Sequence, residues 1–136
     1  MIRSSVTISL VPEARGGPFV FWEDLPAACG TATALGFDAI ELFPPAPDAV
    51  HPGILRKLLD DNGLTLAAVG TGAGWVKKKL HLCLPDPAAR AKAREYIRAI
   101  IDFAGPFGAP AIIGSMQGRW GDGVDRDTAL RTWPKR

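Results

Sequence analysis

The sequence predicts an α/β fold in which parallel strands alternate with crossover helices, amounting to about half of a closed (β/α)₈ barrel with four strands and three complete helices. Two observations predict it. Three times a glycine ends a helix-like stretch and an apolar run of strand length follows: Gly36-Phe-Asp-Ala-Ile-Glu-Leu-Phe43, Gly63-Leu-Thr-Leu-Ala-Ala-Val-Gly70 and Gly108-Ala-Pro-Ala-Ile-Ile-Gly114. A fourth apolar run, Val6 to Val11, opens the chain. Strand and helix in alternation give parallel strands joined by crossovers. The second observation is length. A closed barrel takes roughly 250 residues, and this chain has 136. Residues 1–136 therefore read as one truncated domain, the N-terminal half of a barrel.

The first strand, about Ser5 to Val11, alternates Val6, Ile8 and Leu10 with Ser5, Thr7 and Ser9. A loop over Pro12 to Pro18 follows. The first helix is expected to begin near Trp22, with Glu23 and Asp24 at its positive end. Its apolar stripe is Leu25, Ala28, Cys29, Ala32 and Leu35, and Gly36 supplies a left-handed cap. The second helix has Pro52 in its first turn, Leu55, Leu58 and Leu59 as its buried face and Gly63 at its end. The third has the clearest start, Asp86 as N-cap and Pro87 at N1. Ala89, Ala93, Tyr96, Ile97, Ile100, Ile101 and Ala104 are expected to face the sheet. After the fourth strand, Ala111 to Gly114, comes a glycine-rich loop, Ser115 to Gly123. Asp125 then caps a helical turn that Pro134 is expected to stop. Residues 131–136 thus read as an aberrant tail.

Composition bounds the function. A hydrophobic fraction of 47% with 22% charged residues is ordinary for a globular chain. No apolar stretch approaches the roughly 18 residues that span a bilayer, and the N-terminus has no signal-peptide pattern, so a cytoplasmic location is expected. A net charge of +2 gives no reason to expect nucleic acid or an anionic membrane as partner. Cys29 and Cys83 have no metal-site spacing and read as reduced and structural.

In parallel α/β folds the reacting groups lie at the C-terminal ends of strands and in the loops that follow. Four places qualify: 9–15, 41–45, 70–79 and 114–122. Glu41 stands out, a carboxylate within the apolar strand Ala39 to Phe43. It is either a functional group or half of a structural ion pair with Arg3 or Arg119. The Gly70-Thr-Gly-Ala-Gly-Trp75 stretch lacks the following helix that a dinucleotide fingerprint requires. Its glycines let backbone approach a ligand, with Trp75 covering an apolar or sugar face, or else form a plain turn. Gln117, Arg119 and Trp120 offer hydrogen bonds, an anion-binding fork and a stacking surface. Lys77 to Lys79 read as a solvated run or an attraction for phosphate. His51 reads as a surface residue and His81 as a lone loop histidine. No three metal donors converge, so no metal site is expected in this chain alone. There is no Gly-x-Ser-x-Gly elbow and no Walker loop.

The runs Gly36 to Phe43 and Leu55 to Leu66, then Pro85-Asp-Pro87 heading a helix that ends before Gly108-Ala-Pro110, together resemble the xylose-isomerase-like TIM-barrel family. That group contains sugar phosphate isomerases and epimerases, hydroxypyruvate isomerases and metal-dependent apurinic-site endonucleases. The resemblance covers the chain to about Leu130. It implies a divalent metal (Mn²⁺, Mg²⁺, Co²⁺ or Zn²⁺) and proton transfer at a carbon next to a carbonyl, on a sugar or keto-acid substrate. It also implies that metal ligands and both catalytic glutamates come from strands five to eight, beyond this chain. The positions matching substrate contacts of the first half are Glu41, Gly74, Trp75, Gln117 and Arg119. Where the endonuclease branch has metal-binding histidines, this chain has Gly70-Thr71-Gly72 and Gly114-Ser115.

The leading expectation is accordingly the N-terminal half of a metal-dependent sugar (phosphate) or hydroxypyruvate-type isomerase or epimerase. The alternative is a non-catalytic half barrel that self-associates through open edges on its first and fourth strands, for instance as a homodimer. A small flavodoxin-type domain fits less well, because the first loop has no phosphate-binding pattern.

Overall fold

The computed structural model describes residues 2–22 and 24–132. In chain order the elements are β1 (Ser5–Ser9), β2 (Phe21–Trp22), α1 (Leu25–Ala34), β3 (Ala39–Phe43), α2 (Pro52–Asn62), β4 (Thr65–Gly70), α3 (Ala73–Lys78), α4 (Pro87–Ala104), β5 (Ala111–Ile112) and α5 (Arg126–Thr132). The strands form one wholly parallel sheet in the order β2-β1-β3-β4-β5. The expected four strands and three full helices are present. Around them the structure adds a two-residue strand and two short helices.

Local chemistry explains the helix starts. Asp24 accepts the backbone N–H of Ala27 and caps α1, which therefore begins at Leu25, three residues later than expected from Trp22. Asp86 accepts from both Ala88 and Ala89, and Pro87 occupies the first turn of α4 as expected. His51 caps α2 through Nδ1, which accepts from Gly53, and Gly63 ends the helix at φ 63°. Asp125 accepts from the N–H of Thr128. The helix it caps continues through Thr132, longer than the single turn expected. Glu23 and the rest of the expected tail, Pro134 included, lie outside the described residues.

The core forms where the helices cover one face of the sheet. Ile8, Ile40, Leu42, Leu66 and Val69 from the strands pack in one cluster with Cys29 and Ala32 of α1, Leu55 and Leu59 of α2, and Ile97 and Ile100 of α4. Three positions expected on helix stripes, Ala89, Leu35 and Ile101, are not in it. Leu35 is 66% exposed and Ile101 51%, because each falls at the margin of its helical face. Burial also raises the Cys29 thiol pKa, in keeping with a small packed side chain.

Because alternate strand residues point to opposite faces, the same strands present Thr7, Glu41, Phe43 and Gly70 to the other, concave face. A register shift between Ile40 and Glu41 places Glu41 opposite Ala68 of β4. At the edges the structure differs from expectation once more. The outer side of β1 is partly covered, because β2 pairs with it at Ile8 and Ser9. No helix among the described residues is long and apolar enough to cross a membrane.

Candidate functional site

The C-terminal ends of β1, β3 and β4 converge on a cavity of about 250 Å³ lined by Thr7, Phe19, Glu41, Phe43, Thr71 and Ser115, among others. Thr7 and Glu41 are register partners on adjacent strands. The Thr7 hydroxyl donates to Glu41 Oε2 at 3.0 Å. Glu41 is half-buried, as the sequence implied, but no arginine pairs with it among the described residues. The expected ion pair with Arg3 or Arg119 is not formed, since Arg119 sits over a different loop and binds Asp122 at 2.7 Å. A carboxylate whose one ligand is a threonine hydroxyl keeps lone pairs free for a further donor.

Aromatic rings close this cavity. The chain leaving β1 returns through Phe19, whose ring lies 5.4 Å from that of Phe43 at 52°. Thr71, fully buried, donates its hydroxyl to the Ile113 carbonyl at 2.7 Å and its N–H to that of Ile112. That clamp ties the end of β4 to the end of β5. It also fixes Gly72, where a Cβ would come within 3.2 Å of Phe43 and 3.3 Å of Ser115 Oγ.

Directly after this clamp the chain forms α3, where the sequence reading placed a helix-free loop. Six residues give little intrinsic helical stability. Packing supplies the rest: Ala73 and Gly74 are buried, and Lys79 ends the helix in the left-handed conformation at φ 54°. Gly74 lines neither this cavity nor the next. It lies against Met116 and Tyr96, where a Cβ would come within 2.4 Å of Met116 Sδ.

Trp75, on the same helix, borders a second cavity of about 170 Å³ with His81, Ser115, Gln117, Gly118 and Arg119. Ser115 lines both cavities, so they are neighbours. The Trp75 ring meets His81 edge-on at 5.4 Å. The Lys79 ammonium and the Arg119 guanidinium stand 4.9 Å and 5.3 Å from its centroid. The indole thus carries two cations, whereas the sequence reading leaves its face open to a ligand or to packing in a plain turn.

His81 is 3% exposed, and its Nδ1 accepts the N–H of Cys83. Gly118 makes this possible. At φ +91° it brings the 117–119 backbone so close that a Cβ would lie 2.6 Å from His81 Nδ1 and 2.9 Å from Cys83 Cβ. Burial, with the Arg119 guanidinium nearby, holds the imidazole pKa below its ordinary value, and Asp122 offsets part of that. Of the sequence candidates, Trp75, Gln117 and Arg119 come together, Glu41 stands in the adjoining cavity and Gly74 serves packing. Trp120 is 64% exposed and borders neither. The sequence reading missed Thr7, Phe19 and Thr71 and undervalued His81. A hydroxyl alternating with apolar residues in the first strand was the available signal for Thr7.

Among the described residues no three His, Cys, Asp or Glu side chains converge to hold a metal ion.

Residues 29–136 match the family model described as xylose isomerase-like TIM barrel. The chain belongs to that family. Solved structures with the same fold include D-psicose 3-epimerase in the presence of D-fructose (TM-score 0.64, 16% identity, covering 96% of this chain and 44% of that one). Another is D-allulose 3-epimerase from Methylomonas sp. in complex with D-allulose (0.63, 17%, 96% and 44%). A third is AP endonuclease, family 2, from Brucella melitensis (0.62, 14%, 97% and 47%). At such identities the likeness shows the xylose isomerase-like fold and no more. Comparison with curated proteins gives no match. The chain spans just under half the length of the solved structures it matches.

Proposed function

We propose that residues 1–136 are the N-terminal half of one barrel domain of a sugar or keto-acid isomerase or epimerase, and that this half carries part of the substrate pocket. The observation that carries the reading is Glu41. A half-buried carboxylate bonded, among the described residues, only by Thr7 faces a cavity at the C-terminal ends of parallel strands, the place where barrels of this architecture do their chemistry. In this reading Glu41 accepts a hydrogen bond from a substrate hydroxyl, and Phe19 and Phe43 exclude water and cover the apolar side of the carbon chain. Gln117 and Arg119 reach the other end of the substrate. D-fructose, present with one protein of the same fold, and D-allulose, in complex with another, are ketohexoses, which makes a ketose the first substrate to try.

The family resemblance implies a divalent metal that would polarise the carbonyl and hydroxyl oxygens during proton transfer. The residues described here do not fit such an ion, because no three donors meet. We assign this half to binding and orienting the substrate and derive no step through the metal. Calorimetric titration of the chain with D-fructose tests the reading. Saturable binding that Glu41→Gln abolishes is expected. Absence of saturable heat, or binding that Glu41→Gln leaves intact, would overturn it.

A second reading has an observation of its own. The terminal strand β5 has two residues, and Ile112 and Ile113 beside its open edge are 42% and 41% exposed. An edge of that kind pairs with another strand, and a second copy of this chain could provide it.

A further inference from the structure

The 170 Å³ cavity beside the Glu41 pocket has a lining that selects for ligand charge. His81 Nδ1 accepts the Cys83 N–H. A neutral imidazole that accepts at Nδ1 carries its proton at Nε2. That Nε2–H has no partner among the described residues, and it is not among the buried polar atoms left without one. It therefore keeps some exposed surface, and the two spaces that His81 borders are this cavity and the outer one beside it. Arg119 donates from Nη2 to Asp122, and its other N–H groups have no hydrogen-bond partner among the described residues. The side chains of Ser115 and Gln117 are likewise unbonded within the described residues, and each has a hydrogen to give. No carboxylate lines this cavity. Asp122 borders only the adjoining outer space, which Lys79 also lines. Around the two spaces, two cations stand against one carboxylate.

Such a set brings four donor side chains to one cavity with no carboxylate among them, which suits a ligand rich in acceptors. We propose that this cavity is an oxyanion site that takes the phosphate or carboxylate end of the substrate, held by His81 Nε2–H, the Arg119 guanidinium and the Gln117 amide. The inference rests on the reading of the neighbouring cavity as a substrate pocket and deepens it. The substrate becomes an anionic sugar or keto acid, with its hydroxyl over Glu41 and its charged end between His81 and Arg119. Ser115, which lines both cavities, stands where the two ends join. Planar guanidinium suits either oxyanion, so the source of the charge is left to the experiment.

The test is a titration of the full chain with inorganic phosphate and, separately, with acetate. It is followed by ¹H–¹⁵N NMR at the Arg119 Nε–H and the His81 Nε2–H, with chloride at matched ionic strength as control. Saturable shifts at both groups with phosphate or acetate, and not with chloride, are expected. The tighter of the two identifies the substrate's charged group. Arg119→Gln, at an exposed side chain, is expected to weaken binding about tenfold or more, as loss of a charge-assisted bond does. His81→Phe keeps a ring against Trp75, removes the donor and is expected to weaken it also. Shifts no different from those with chloride, or an affinity unchanged in both variants, would overturn the proposal. Glu41→Gln separates the two readings. Phosphate binding that survives it while D-fructose binding is absent even in the unmodified chain would sustain the oxyanion site and overturn the sugar pocket.

Discussion

Gly74 shows how a single missing side chain holds the two candidate cavities together. It sits within α3, where replacing glycine by alanine ordinarily gains up to about 1 kcal/mol of helix propensity. Here the added methyl would lie 2.4 Å from Met116 Sδ, 2.8 Å from Met116 Cε and 3.1 Å from Tyr96 Cδ1. Met116 is fully buried, so its thioether has no open space to swing into. Overpacking of a closed core costs about 1–3 kcal/mol, which matches or exceeds the propensity gain. Gly74→Ala is therefore expected to destabilise the chain by up to about 2 kcal/mol net of that gain, read as a lower midpoint in urea with an unchanged slope. A variant as stable as the parent would show that the turn carrying Met116 yields, and that the walls of both cavities are softer than the packing implies.

At the scale of elements, α4 and α3 are opposites. The 18-residue α4 is set by its own sequence. Asp86 satisfies two of the first N–H groups at 3.0 and 3.1 Å, Pro87 fixes the first turn, and apolar residues recur every three or four positions. Asp86→Ala should lower unfolding stability by about 1 kcal/mol, the usual effect of losing an N-cap. Asp86→Asn, which keeps the acceptor, should restore most of it, as measured by urea denaturation. An alanine variant of parental stability would mean that packing alone positions the helix. The start of α4, like Gly63 after α2, was legible because the determinants lie within a few residues of one another. For α3 and β2 they do not. The six residues of α3 are helical because Ala73 packs with Val11 and Phe43 while Gly74 lies against Met116, and β2 is a strand only because it pairs with Ile8 and Ser9. The site follows the same division. Glu41 was visible as a carboxylate inside an apolar strand. Its partner Thr7 lies 34 residues away, and His81 is buried only because Gly118 lets another loop close over it, a long-range contact that local pattern does not encode.

For the whole molecule the governing fact is the open end of the sheet. A closed barrel has no edge, but among the described residues this sheet ends at β5, whose two residues pair only with Val69 and Gly70 on one side. Beside that edge Ile112 and Ile113 remain 42% and 41% exposed, and Ile112 also lines the Glu41 cavity. Burying an isoleucine from full exposure contributes about 1.5–3 kcal/mol, so covering the part of each that is still exposed contributes roughly 1 kcal/mol, and extending the ladder adds backbone hydrogen bonds. Both gains are open to whatever strand meets the edge. The 136-residue chain on its own is therefore expected to associate as its concentration rises. Ile113→Lys, which sets a charge beside the edge without touching the cavity, is expected to weaken association about tenfold or more. Sedimentation velocity over a concentration series, run in parallel with the D-fructose titration, separates the consequences. Association that falls in the variant while sugar binding persists would mean that the edge and the pocket act independently. Sugar binding lost together with association would mean that the pocket needs a strand beyond β5 to be complete. A chain that stays monomeric at every concentration would refute the edge-pairing reading.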